Sequence, residues 1–292
     1  MLVAGRRYRS ILYRLEMNSL QMPTLGLGTW RLGKSRAHRS SEIAAVRSAI
    51  EIGYRLIDTA EMYGEGGAEE VLGQAVTEAL RAGDVRRDEL FIVSKVYPHN
   101  ASHKGTLAAC ERSRKRLGLD RIDLYLLHWR GEHALADTVA GMHALQKSGH
   151  IAQLGVSNFD VKDMEALMAV APDCAANHVY FSLSQRGPEF ALLPWLRQHK
   201  MPLMAYSPID QGTLARHRAL AAIGAPLGLT AAQLALAWAL AQPGVVAIPK
   251  AVKAQHLRDN FAAAQATLSA EVLRAIDAEF PPPQRKTALA MT

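Results

Sequence analysis

Residues 90–129 read LFIVSKVYPHNASHKGTLAACERSRKRLGLDRIDLYLLHW. Two runs in this stretch, LFIVSKV (90–96) and IDLYLLHW (122–129), are apolar at most positions and too short to be core helices. Near-continuous apolar runs of this length mark strands buried on both faces. Between them, TLAACERSRKRLG (106–118) carries its apolar residues at helical spacing. It ends on Gly118, a residue that takes the left-handed helix cap without strain. Strand, helix and strand in this order predict two parallel strands joined by a crossover helix.

Working outward, the same unit recurs along the chain. Strands are expected at 25–30, 55–60, 90–96, 122–129, 151–158, 174–181, 202–208 and 245–250. Helical segments fall between them: SEIAAVRSAIEIG, AEEVLGQAVTEAL, TLAACERSRKRLG, LADTVAGMHALQKSG, VKDMEALMAVA, EFALLPWLRQHK and TAAQLALAWALAQ. KAQHLRDNFAAAQ follows the last strand, then a further helix over 269–280 and the tail PPPQRKTALAMT. Eight such units close into an eight-stranded parallel (β/α)8 TIM barrel, an α/β fold. An open doubly wound sheet would carry G-x-G-x-x-G after its first strand. The nearest stretches, GLGTWRLG and YGEGGAEE, do not match it.

Composition agrees with one globular domain. Of 292 residues, 49% are hydrophobic and 21% charged, which excludes disorder. A barrel of roughly 250 residues accounts for that length as a single domain, 17–292. Residues 1–16 hold Arg6, Arg7, Arg9 and Arg14 against Glu16 alone. They read as a basic, flexible N-terminal extension that supplies +3 of the formal net charge of +7. The mild remainder suits a phosphate-bearing small molecule better than a nucleic acid. Residues 219–249 lack Asp, Glu, Lys and Arg, but Gly, Pro and Gln interrupt them, so they predict a buried helix and strand and no membrane span. Cys110 and Cys174 make neither a disulfide framework nor a four-ligand metal site and fit a reducing cytoplasm. HWRGEH (128–133) is one residue too long for H-x-x-E-H, so no metal is expected. A monomer is expected.

Barrel active sites lie at the C-terminal ends of the strands. Those ends present Asp58, with Tyr63 five residues on, then Lys95, His128, Ser157-Asn158, Tyr206-Ser207 and Lys250. The first four form a coherent set. A tyrosine is a weak acid near neutrality, an ammonium beside it favours phenolate, and a carboxylate holds the ammonium. An imidazole can donate to a carbonyl oxygen. Such a set delivers a proton to an oxygen that is becoming an alkoxide, and it needs a hydride donor.

GLGTW, LIDTAEMYG, VSKV, LYLLHW, GVSN, AYSP and IPK, in this order at successive strand ends, resemble the aldo-keto reductase family over about residues 20–280. LLPWLRQHKMPLMAYSP and the KTAL tail look most like the bacterial branch that includes methylglyoxal reductases. The resemblance implies Tyr63 as general acid, with Lys95 lowering its pKa, Asp58 anchoring Lys95 and His128 polarising the carbonyl. It implies NADPH as cofactor, with NADH second. Gly28, Thr29, Asp58, Ser157, Asn158, His178, Tyr206, Ser207, Lys250, His256 and Asn260 would hold it, and Trp30, Met62 and Trp129 would line the substrate pocket. Two positions depart from the family: His178 stands where a Gln is usual, and His256 where an Arg grips the 2′-phosphate. An imidazole lacks both the planar amide and the guanidinium fork. Short loops after residue 129 and after 280 predict an open pocket for small aldehydes and dicarbonyls of the methylglyoxal kind. Two other readings of the same scaffold are a cofactor-binding sensor with little turnover and a barrel aldolase with a Schiff base on Lys95.

Overall fold

A computed structural model describes residues 14–17 and 20–291. The chain opens with an antiparallel hairpin, β1 (Arg14–Met17) and β2 (Leu20–Pro23). The hairpin takes in the end of the basic segment; residues 1–13 lie outside the described residues. Eight parallel strands follow: β3 (Gly26–Gly28), β4 (Leu56–Asp58), β5 (Phe91–Val96), β6 (Ile122–Leu127), β7 (Ile151–Ser157), β8 (Asn177–Tyr180), β9 (Leu203–Tyr206) and β10 (Val245–Ile248). Each lies inside a run expected from the sequence. They pair in chain order, and a parallel bridge from Leu25 to Ala247 brings the last strand against the first. Gly28 N–H donates to the Pro249 carbonyl at 3.0 Å across the same seam.

The helices are α1 (Arg39–Ile52), α2 (Gly67–Ala82), α3 (His103–Leu117), α4 (Leu135–Lys147), α5 (Val161–Met168), α6 (Leu192–Gln198), α7 (Arg218–Gly224), α8 (Ala231–Ala241), α9 (Ala254–Ala263) and α10 (Ala270–Glu279). Their ends follow local chemistry. Ser102 accepts from Gly105 N–H at the start of α3, and Gly118 closes that helix at φ 64°. Thr230 and Gln233 form a reciprocal capping box on α8. α7 was not expected, because residues 219–249 read as a single helix and strand. It bends from α8 by 79°, and no single helix among the described residues is long and apolar enough to cross a membrane.

Two apolar zones hold the barrel. The larger lies between strands and helices. The smaller fills the interior with Leu56, Val93, Leu124, Leu126, Ala176, Met204, Val246 and Ile248. Fully buried Met22 from β2 joins this inner cluster, so the hairpin packs into the barrel. Burying side chains of this size contributes roughly 1.5–3 kcal/mol each.

Candidate active site

Alternation with a period of two builds the site. Two residues beyond an inward apolar position, the same strand face carries a polar group: Leu56 then Asp58, Val93 then Lys95, Leu126 then His128, Ala176 then His178, Met204 then Tyr206. Asp58, His128, His178 and Tyr206 open onto a cavity of about 550 Å³. Lys95 does not line it. Its ammonium is fully buried and donates to Asp58 Oδ1 at 2.6 Å, Thr59 O at 2.8 Å and Tyr63 Oη at 3.3 Å. These partners use all three of its hydrogens. A lysine so enclosed has no path to a substrate carbonyl, which removes the Schiff-base reading.

Tyr63 sits at the start of a glycine-rich turn. Gly64 (φ 60°) and Gly66 (φ 93°) take left-handed conformations, and Glu65 between them is also at positive φ, 55°. A Cβ on Gly66 would stand 2.7 Å from Arg116 Cδ, and one on Gly67 would collide with the Gly33 carbonyl. The turn is therefore wedged between α3 and the loop after β3. Tyr63 Oη accepts from Lys95, which leaves its own hydrogen for the cavity. Its ring meets the His128 ring edge-on at 5.7 Å.

Burial pushes the Tyr63 phenol well above its ordinary pKa, with Asp58 and Tyr206 adding to the rise. Lys95, paired with Asp58, donates a hydrogen bond to Tyr63 Oη that favours the phenolate and works against this rise. Burial moves that ion pair toward neutrality from both sides, Asp58 up and Lys95 down, and each charge opposes the shift of the other. Burial, with the Lys95 charge second, holds His128 well below the usual histidine range. His178 is lowered in the same way, with His128 as a third contributor. Both imidazoles are therefore neutral at pH 7.

All three residues expected in the substrate pocket, Trp30, Met62 and Trp129, line the cavity, as do Gly28, Ser157, Asn158, Ser207, Lys250, His256 and Asn260. Thr29 does not: it is buried and its hydroxyl donates to the Asp58 carbonyl at 3.0 Å. Asn158 stands at φ 61°, and its amide is already engaged, donating to His128 O and Ser157 Oγ and accepting from Tyr206 Oη at 2.9 Å. Ser157 Oγ donates to His178 O at 2.8 Å. The two ring nitrogens of His178 are buried with no hydrogen-bond partner among the described residues. Burial draws the Lys250 ammonium pKa down, and Glu42 opposes this.

Sequence reasoning missed several lining residues. Arg31, at φ 71°, stacks over Trp30 at 4.3 Å and donates to Gln211 Oε1 at 3.1 Å, joining the loops after β3 and β9 across the cavity. No local pattern pairs residues so far apart. The tail after residue 280, read as short and as leaving the pocket open, returns to it with Met291. Leu289 packs on the main core, and Lys286 pairs with Asp160 at 3.2 Å. Among the described residues no group of three His, Cys, Asp or Glu could hold a metal ion.

A profile described as the Aldo/keto reductase family matches residues 24–279. Methylglyoxal reductase YeaE of Escherichia coli (strain K12) is 43% identical over 279 residues, covering 93% of this chain and 96% of the relative. Glyoxal reductase of Bacillus subtilis (strain 168) is 37% identical, covering 89% and 90%. An aldo-keto reductase from Klebsiella pneumoniae, solved in complex with NADPH, superposes with a TM-score of 0.90 at 44% identity, covering 97% of this chain and all of the other. The chain belongs to the aldo/keto reductase family.

Proposed function

We propose that the protein reduces small aldehydes and dicarbonyls, methylglyoxal among them, to alcohols with NADPH. The observation that carries this reading is the Asp58–Lys95–Tyr63 chain, which ends in a phenol hydrogen facing the cavity beside a neutral imidazole. The names of the relatives in Escherichia coli and Bacillus subtilis support the substrate class.

The cavity residues fit the cofactor. Tyr206 offers an aromatic face, His178 offers two unpartnered ring nitrogens, and Lys250 offers a cation for phosphate. Ser157, Asn158, Ser207 and Asn260 add polar groups, with Gly28 and His256 completing the wall. Bound there, NADPH supplies a hydride to the carbonyl carbon. Tyr63 gives its proton to the carbonyl oxygen; its raised pKa keeps it protonated until the oxygen gains alkoxide character, a stronger base than phenolate. Lys95 then stabilises the phenolate through the hydrogen it already directs at Tyr63 Oη. Asp58 keeps Lys95 in that position. Neutral His128 orients the same oxygen by hydrogen bonding.

The reading has the enzyme acting as a monomer in the cytoplasm. Cys110 and Cys174 are free, buried thiols that burial pushes up to about 12, as suits a reducing compartment. The test follows absorbance of NADPH and NADH with methylglyoxal and a panel of aliphatic and aromatic aldehydes. Faster loss of NADPH with the small carbonyls is expected. No loss of either cofactor by the folded protein would overturn the proposal.

A further inference from the structure

Glu61 has no part in the chemistry above, yet it is buried beside it. Past the end of β4 the pairing with β5 runs on: Thr59 N–H donates to Val93 O at 2.9 Å and Glu61 N–H to Lys95 O at 3.4 Å. At the next rung a side chain replaces the backbone acceptor. Tyr97 N–H donates to Glu61 Oε1 at 2.8 Å, and Asn100 Nδ2 reaches the same oxygen at 3.1 Å. The other oxygen accepts from Arg112 of α3 at 3.2 Å. The Tyr97 backbone is thereby fixed, and its ring meets Trp129 edge-on at 5.1 Å. Trp129 lines the cavity and leans on His128 at 4.9 Å. Tyr63, two residues from Glu61, is held separately, by its N–H to the Ala60 carbonyl, by Lys95 and by the glycine turn.

We propose that Glu61 is a positioning residue for the Trp129 wall and so selects which carbonyl compounds the enzyme takes. The inference rests on the reductase reading. A three-carbon dicarbonyl held between Tyr63 and His128 makes little use of the wall. An aromatic aldehyde reaches it and depends on where Trp129 stands. The loss of Glu61 therefore acts on the KM of aromatic substrates and leaves cofactor binding alone.

The experiment measures kcat and KM for benzaldehyde and methylglyoxal at saturating NADPH, with NADPH affinity from fluorescence titration. Glu61→Ala is expected to raise the benzaldehyde KM on the order of tenfold more than the methylglyoxal KM. Glu61→Gln keeps an oxygen for Tyr97 N–H and restores the ratio. Arg112→Ala removes only the outer partner and keeps the wild-type ratio. Tyr97→Leu, with Glu61 intact, reproduces the Glu61→Ala shift and decides the matter if Glu61→Ala does not fold. An unchanged ratio in Tyr97→Leu or in folded Glu61→Ala, or the same shift in Arg112→Ala, would overturn the inference. A wild-type protein inactive on both aldehydes would overturn the reductase reading, and this inference with it.

Discussion

The lower and upper interiors of the barrel use the same strands and the same alternation, two residues or about 7 Å apart. Below, Leu56, Val93, Leu126 and Met204 pack with Met22 and make no hydrogen bond through their side chains. Above, Asp58, Lys95, His128 and Tyr206 occupy the next inward positions. The lower layer stabilises the fold by taking apolar surface out of water. The upper layer takes ionisable groups out of water, a cost offset only where they bond one another. The chemistry thus sits where the fold gains least, on a scaffold that supplies the difference from beneath.

Substitutions in the two layers should therefore fail differently. Lys95→Met breaks the upper layer in both respects. Turnover should fall by about 10²–10⁴, and leaving Asp58 buried without its partner should cost roughly 3–5 kcal/mol. Steady-state rates and urea denaturation read the two effects separately. Leu124→Ala in the lower layer should cost about 2–5 kcal/mol yet leave turnover per folded molecule at the wild-type level. Equal loss of turnover in the two variants would erase the distinction.

The smallest effect is in pH. His128 and His178 are held below the ordinary histidine range when folded, so between their folded values and about 6.5 the unfolded chain binds protons that the folded one refuses. Stability is then complete above about pH 6.5 and declines as pH falls, by up to roughly 1.4 kcal/mol per pH unit for each histidine. Urea midpoints at pH 7 and pH 5.5 check this. The fall should be shallower in His178→Gln, and an identical fall would show that this imidazole titrates normally.

The parts of this molecule legible in the sequence are those set by local pattern. Each barrel strand is apolar on both faces, so runs such as LFIVSKV stand out, and the strand ends name Asp58, Lys95 and His128 directly. The β1–β2 hairpin escaped because its alternating arms, RLEM and LQMP, are only four residues each and the first was read as the end of a basic extension. α7 escaped because RALAAIG merges by composition into the apolar stretch that follows it. What was least legible depends on depth and on long-range contact. The rise in the Tyr63 pKa comes from burial, the engaged amide of Asn158 from His128 and Tyr206 on other strands and loops as well as from the neighbouring Ser157, and the role of Met291 from the path of the tail. Glu61 carries no signal of its own, since its function lies in replacing a backbone carbonyl in a ladder that the sequence does not display.

The central claim is that Tyr63 supplies the proton while the rest of the upper layer holds it in place. The most direct test is Tyr63→Phe, which removes one oxygen from a residue whose ring remains packed against His128. Turnover of methylglyoxal and NADPH binding would be measured on the same preparation. The account predicts NADPH affinity at the wild-type level with turnover reduced by about 10²–10⁴. Turnover near wild type in a variant that still binds NADPH would contradict it.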